Sequence, residues 1–211
     1  MYIIAVLFLV WAWIGAKRTM PRTFIPFVAI ISVVVLFVQL AEFPVAAGSS
    51  TWHFMGGTVV SMILGPYGAT LSMTITLLMQ LVIGDGGLTS LGANIFNMAV
   101  IGAFSFFIVK AFVGSKFTDK RLVAGVFSAA LISNVLTALA VGTEIGIYPI
   151  AGELGGLTVS IPTMLLWYVP SGLIEGVVAA ALILPLSRLK TSELHGLNSL
   201  RSARGKPQQV N

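Results

Sequence analysis

Between Phe24 and Lys110 the chain carries only two formally charged residues, Glu42 and Asp85. Soluble domains carry roughly 25% Asp, Glu, Lys and Arg, whereas here 9% of residues are charged and 57% are apolar. Such a chain cannot cover itself with polar groups, so a bilayer is the solvent it is built for. Hydrocarbon admits only helices and closed barrels as spanning structures, and the long apolar runs select helices.

A span takes about 20 apolar residues to cross a core of roughly 30 Å. Seven runs qualify in whole or in part: 2–16, 24–43, 53–64, 67–84, 92–113, 122–141 and 161–186. The third is short, about 18 Å if fully helical. The expectation is an all-α integral membrane protein, a multi-pass protein of the cell membrane, with about seven transmembrane helices in one domain, 1–186. A basic tail follows, 187–211, expected to be disordered.

Lys and Arg in short loops set orientation. They form three clusters: Lys17, Arg18 and Arg22; Lys116, Lys120 and Arg121; and Arg188, Lys190, Arg201, Arg204 and Lys206. Seven crossings put all three on the cytoplasmic side, with the amino terminus outside and the carboxy terminus in the cytoplasm. Dropping the third run would set the first cluster against the other two. The pattern therefore argues that 53–64 crosses or nearly crosses, with Gly65-Pro66-Tyr67-Gly68 as a tight turn. The loops 44–52, 85–91 and 142–160 then lie outside and are poor in basic residues. Lys17 and Arg18 follow the first run and no basic segment precedes it, the reverse of a secretory signal.

Several function classes fall away. The chain has no cysteine, which removes thiolate metal sites and thiol catalysis. Its net charge of +5 is gathered in the loop clusters, which suits a membrane surface and not nucleic acid. The phosphate-cradling GxxxxGK[ST] pattern is absent, as are HExxH and GxSxG, so neither ATP hydrolysis nor another enzyme activity is expected, and no resident cofactor.

Four features remain. His53, in "SSTWHFMGGT", is the only histidine lying between apolar runs. It reads either as an interfacial side chain beside Trp52 or as a ligand for a late first-row divalent ion, which imidazole suits. The segment "GDGGLTSLGAN", Gly84 to Asn94, holds Asp85, Gly86 and Gly87. It is either a tight connection or an irregular stretch dipping to membrane depth, where protein must surround it. Asn94 would cap the following helix, brace the loop or bond another helix. Glu175 stands alone inside the last run, where a carboxylate is costly and implies a pathway or a structural pairing, Asn134 being one candidate partner. Ala12 and Ala16 form a small-xxx-small pattern that suits plain packing or a docking face for another membrane subunit.

With "SSTWHFMGG", "LGPYGA" and "GDGGLTSLGANIFNMAVIG" in view, the chain resembles the CbiM/NikM substrate-capture components of energy-coupling-factor (ECF) ABC transporters for cobalt and nickel. The likeness runs from about Ala12 to Leu186 and is most specific over 53–102. The family pattern has a Ser-rich segment ending in His, here Ser49, Ser50 and His53. A Gly-Pro follows, here Gly65 and Pro66, and then a "GGLTTLGAN"-type loop, here Gly86 to Asn94. "LIEG" at 173–176 matches a Glu-bearing helix.

The resemblance implies seven helices, an external amino terminus, and capture of one Co2+ or Ni2+ as transported substrate. The family's ligands are the terminal amine, a backbone nitrogen and the side chain of a second-position His, with a loop His that His53 matches. Ser50, Gly56, Asp85, Gly86, Gly87 and Asn94 would support or gate the site. Partners would be a transmembrane coupling (T) subunit, two ATPase (A) subunits and an accessory membrane subunit, supplying metal for cobalamin biosynthesis or nickel enzymes.

Two departures stand out. Tyr2 occupies the second position, and its phenol, with a pKa near 10, is a poor ligand at neutral pH. The short first run favours a start upstream of Met1. Phe54-Met55 replaces the family's Pro-Thr after the His. The alternative is a self-contained channel or secondary carrier for a small solute with Glu175 as coupling carboxylate.

Overall fold

The computed structural model describes residues 1–45, 50–114, 116–147, 156–189 and 191–202. In chain order these form α1 (Tyr2–Thr19), a 3-10 turn (Arg22–Phe24), α2 (Ile25–Gln39), β1 (Phe43–Val45), β2 (Ser50–Trp52), α3 (Gly57–Ile83), α4 (Leu91–Asn94), α5 (Ile101–Val113), α6 (Asp119–Ile147), α7 (Leu157–Leu186) and α8 (His195–Ser202). A π-helical segment, Ile95–Val100, joins α4 to α5, so Leu91–Val113 is one apolar rod. The strands pair antiparallel with Phe43 opposite Trp52, a two-stranded ribbon that is the one departure from an all-α chain among the described residues.

Five helices are long and apolar enough to cross a bilayer: Tyr2–Thr19, Gly57–Ile83, Leu91–Val113, Asp119–Ile147 and Leu157–Leu186. The shorter apolar helix α2 packs beside them. The bundle has the arrangement of a protein folded in lipid. Large apolar side chains such as Phe37, Val82, Leu166 and Val177 point outward, while Ser61, Thr70, Ser72, Thr76, Ser105 and Thr137 are buried. Without a hydrophobic drive between helices, small residues and side-chain hydrogen bonds hold them together. Gly172 of α7 abuts Leu131 and Asn134 of α6, Gly176 abuts Phe127, and Gly142 abuts Ile161, which runs the two helices antiparallel along their length.

Contacts fix how the helices run. Tyr2 lies against Gly92, and Phe8 and Trp11 pack on Phe104, so α1 and the Leu91–Val113 rod run parallel. Gly15 meets Tyr67, near the start of the second arm of α3, so that arm runs antiparallel to both. Ser72 and Thr76 bond Ser32 of α2, and Gln80 bonds Gln39, so α2 and that arm run together. The first arm, 57–64, sets Gly57 on Gly102 and Ser61 Oγ 2.9 Å from Ser105 Oγ, parallel to the rod. The two arms of α3 therefore point in opposite directions.

The reversal takes place at Gly65, whose φ of 74° and ψ of 173° lie outside helical space. Only glycine adopts such a φ cheaply. Pro66 follows, needing no amide partner as it opens the second arm. The sequence places two spans here, 53–64 and 67–84, joined by a Gly-Pro-Tyr-Gly turn. The turn is present, but the first arm starts at Gly57 and is about 12 Å long. It begins partway through the bundle, because Met55, just ahead of it, bonds Glu175 in the middle of α7.

This topology gathers Lys17, Arg18, Lys116, Lys120, Arg121, Arg188 and Arg201 at one end, with the 3-10 turn, Gly65 and α8. Arg188 pairs with Asp119 there at 3.3 Å. Met1, the ribbon, the loop after Ile83, the last turn of α6 and the first turn of α7 share the opposite end, called here the Met1 end.

Two expectations change. Residues 187–211 are expected to lack structure, yet α8 lies within them with Leu197 and Leu200 buried. Gly196 sits against the carbonyls of Ser61 and Met62, and His195 against Gly65 and Phe24. Lys190, Arg204 and Lys206 lie outside the described residues. The expected loop 142–160 begins too early, because α6 continues to Ile147 and takes Glu144 with it; residues 148–155 lie outside the described residues. Ala12 (0% exposed) and Ala16 (9%) are buried within the chain's own bundle, in keeping with plain packing.

Candidate functional site

At the Met1 end, Met1 and Tyr2, the residues flanking the ribbon (Glu42 and His53), the loop after α3, the start of the Leu91–Val113 rod, the last turns of α6 and Tyr168 of α7 line a cavity of about 1050 Å3. His53 borders it, half-buried, immediately after β2. Its Nδ1 lies 3.1 Å from the Phe54 carbonyl oxygen. A carbonyl only accepts, so this contact places the ring proton on Nδ1 and leaves the Nε2 lone pair as the ligating atom.

Asp85 faces the same cavity. Partial burial holds its carboxyl above the ordinary value, Glu42 pushes it up further, and His53 draws it down. These three groups thus lie within electrostatic reach of one another. Asp85 sits in the bend formed by Gly84 (φ 86°) and Gly86 (φ 80°). The bend is tied back by the Gly87 amide, which donates to Ser90 Oγ at 3.2 Å, and by Tyr2, whose hydroxyl donates to the Leu88 carbonyl. Asn94 Nδ2 lies 3.7 Å from where a Cβ on Gly86 would project, and its side chain makes no cap on the helical segment that follows it.

Glu175 is elsewhere. It is 6% exposed and does not line the cavity. Oε1 accepts the Met55 amide, the Gly56 amide also donates to the carboxylate, and Asn134 Nδ2 donates to Oε2 at 3.3 Å. Gly56, in the left-handed region at φ 71°, is the residue from which α3 starts. The carboxylate therefore meets the free amides and positive dipole end of a helix that begins inside the bundle. This explains why an acidic residue without a Lys or Arg partner is tolerated at mid-depth. Asn134, proposed from sequence as a partner, is one; the backbone donors carried no sequence signal.

The polar lining extends beyond the residues singled out from sequence. Gln39 Nε2 donates to the Met55 carbonyl at 2.9 Å, and Gln80 Nε2 donates to Gln39 Oε1 at 3.2 Å, which ties the strand leading out of His53 to α2 and α3. Asn97 and Glu144 also line the cavity. Gln39, Gln80 and Asn97 are isolated polar residues in apolar runs, the pattern that marks function or pairing in a membrane; Glu144 falls in the stretch that reads as a loop. Ser50 falls in β2, and its side chain lies outside the described residues. Among the described residues, no three His, Asp or Glu side chains converge as a ready-made metal cage. What the cavity offers a cation is one imidazole, dispersed carboxylates and amide oxygens.

Comparison with known proteins gives this geometry a context. The CbiM family, described as the cobalt uptake substrate-specific transmembrane region, matches residues 1–192. A putative fused nickel transport protein NikMN of Archaeoglobus fulgidus is 36% identical over 156 residues, covering 73% of this chain and 50% of that protein. A probable fused nickel transport protein LarMN of Lactiplantibacillus plantarum is 33% identical over 151 residues, covering 67% of this chain and 45% of that protein. The chain thus spans about half the length of these two relatives. A cobalt transport protein CbiM of Lachnoclostridium phytofermentans is 29% identical over 206 residues, covering 92% of this chain and 79% of that protein. A crystal structure of a transition metal transporter superimposes with a TM-score of 0.79 at 27% identity, covering 97% of this chain and 93% of that one. By family, by helical architecture and by fold, the chain is a multi-pass membrane protein that belongs to the CbiM family.

Proposed function

We propose that this chain is the substrate-capture component of an ECF-type importer for Co2+ or Ni2+, and that the cavity at the Met1 end is where the ion is taken up. The observation that carries the reading is the meeting of His53 with the Asp85–Asn94 loop around one cavity, at the end of the bundle away from the basic clusters. By the positive-inside rule that end faces outside. His53 Nε2 supplies a nitrogen suited to late first-row ions. Asp85 and Glu42 attract the cation, and Gly86, Gly87 and Asn94 shape the walls around it. Energy comes from partners: a transmembrane coupling subunit and two ATPase subunits, with an accessory membrane subunit. The metal would feed cobalamin biosynthesis or nickel enzymes.

The secondary-carrier alternative needs Glu175 to exchange protons with a pathway. Its enclosure by Met55, Gly56 and Asn134, away from the cavity, gives that reading no support. The test is Co2+ and Ni2+ accumulation in cells that co-express the partner subunits. The His53→Ala variant is expected to lose most uptake at low metal; uptake equal to the unaltered chain would reject the assignment.

A further inference from the structure

The cavity contains a second feature, which the proposed role of His53 does not use. The π-helical segment Ile95–Val100 interrupts the rod just below the loop, and π-turns inside α-helices often mark functional positions. Asn97 sits in it, 2% exposed. Its carbonyl oxygen accepts Thr137 Oγ1 at 2.9 Å, and its Nδ2 donates to Glu144 Oε2 at 2.8 Å. Two oxygens are left over. Asn97 Oδ1 and Glu144 Oε1 are both buried and have no hydrogen-bond partner, and both residues line the cavity.

Buried acceptors without donors are costly, about 1–3 kcal/mol each and more for a charged group. Exchanging the amide atoms of Asn97 does not help, because it sets oxygen against the Glu144 carboxylate and strands the NH2 instead. The amino-terminal ammonium lies within electrostatic reach of Glu144 but bonds neither oxygen, so two acceptors on neighbouring side chains, one of them a carboxylate, still have room for a further positive occupant. Their donor set is oxygen only, which suits hard divalent ions and ions that keep part of their water shell. That contrasts with the imidazole at the cavity's edge.

We propose that Asn97 and Glu144 form a second station for a divalent cation, with Asn97 Oδ1 and Glu144 Oε1 as the protein ligands and cavity water completing the shell. The station lies about 9 Å along the rod from Leu91, on the inner side of the loop that carries Asp85. It rests on the proposed function in one respect, that the ion it holds in transport is the captured cargo. Nitrogen at the mouth selects the ion, and oxygens farther in hold it more loosely, which favours onward release.

The experiment uses the purified full chain in nanodiscs with Mn2+ as probe, because an oxygen-only site accepts Mn2+ and a nitrogen site discriminates against it. Bound Mn2+ is read from loss of the free-ion electron paramagnetic resonance signal. Glu144→Gln is expected to weaken Mn2+ binding by roughly tenfold or more. Asn97→Leu, which removes Oδ1 and leaves the Glu144 carboxylate in place, should weaken it severalfold as well. His53→Ala should leave Mn2+ binding within about twofold while lowering Co2+ affinity. Mn2+ binding unchanged in Glu144→Gln or in Asn97→Leu overturns the station; so does loss of Mn2+ binding in His53→Ala, since the two sites would then be one. A neutral Glu144 bonded to Asn97 without any ion predicts the first of these results. If cellular uptake ignores His53→Ala while Glu144→Gln still abolishes Mn2+ binding, the capture assignment fails and the station stands.

Discussion

Replacing Glu175 with leucine would strand the amides of Met55 and Gly56 inside the bundle. Asn134 Nδ2 would not be stranded, because it also donates to the Ala130 carbonyl at 3.0 Å. Each stranded backbone donor costs about 1–3 kcal/mol, so the loss is about 2–6 kcal/mol. The strand cannot readily swing out to find water, since Gln39 holds the Met55 carbonyl. For a chain of this size each kcal/mol moves the melting temperature by roughly 2–4 °C, which gives a drop of roughly 5–20 °C. Glutamine should behave differently. Its carbonyl still accepts backbone amides, and its NH2, standing where Oε2 was, is accepted by Asn134 Oδ1 once that amide turns over and gives up its bond to Ala130. The expected cost is within about 1 kcal/mol. The assay is thermal melting in detergent followed by tryptophan fluorescence, together with metal uptake in cells. A leucine variant that melts within about 2 °C of the unaltered chain refutes the capping argument. Uptake abolished by glutamine at unchanged stability refutes it as well, since only a proton-exchanging role requires the acid.

Two further outcomes follow from the packing and the charges. Gly196→Val forces a side chain into the carbonyls of Ser61 and Met62, so α8 should lift from the Gly65 turn; limited proteolysis would then cut between α7 and α8, and an unchanged cleavage pattern counts against the contact. Asp85 has a folded-state pKa above its unfolded value, so the folded protein binds this proton more tightly and loses stability as pH rises through the interval between the two. Asp85→Asn should therefore melt higher than the unaltered chain at neutral pH, with the advantage vanishing as pH falls below the ordinary carboxylate range, and it should bind Co2+ less tightly in calorimetry. A gain that persists at acidic pH removes the electrostatic explanation.

Much of the architecture was legible because lipid imposes strict rules. The near-absence of charge from Phe24 to Lys110 announces the bilayer, and the basic clusters settle at one end of the bundle as their spacing requires. Gly65-Pro66 reads correctly as a reversal, since no other pair combines a free φ with a missing amide so well. Boundaries were harder. Gly142-Thr143-Glu144 looks like a loop because of its glycine and acid, yet the glycine is there to let α7 approach at Ile161. The helix α8 was hidden because only Leu194, Leu197 and Leu200 mark its buried face, a period easily lost in a basic tail. At the site, His53 and the glycine loop were visible as motifs. Glu144 and Asn97 were not, because their meeting depends on contact between helices 47 residues apart in sequence.

The seat of α8 beneath Gly65 has a consequence for biogenesis. The short arm 57–64 leaves the ribosome early, but the carbonyls at its lower end meet their cover only when His195 and Gly196 have been made. Translation runs from the amino terminus at about 5–20 residues per second, so for several seconds that arm is threaded into the bundle without its base. Closure of this end of the bundle thus waits for residues made long after the arm itself, and shortening the chain before His195 should yield an inserted protein whose inner turn never sets.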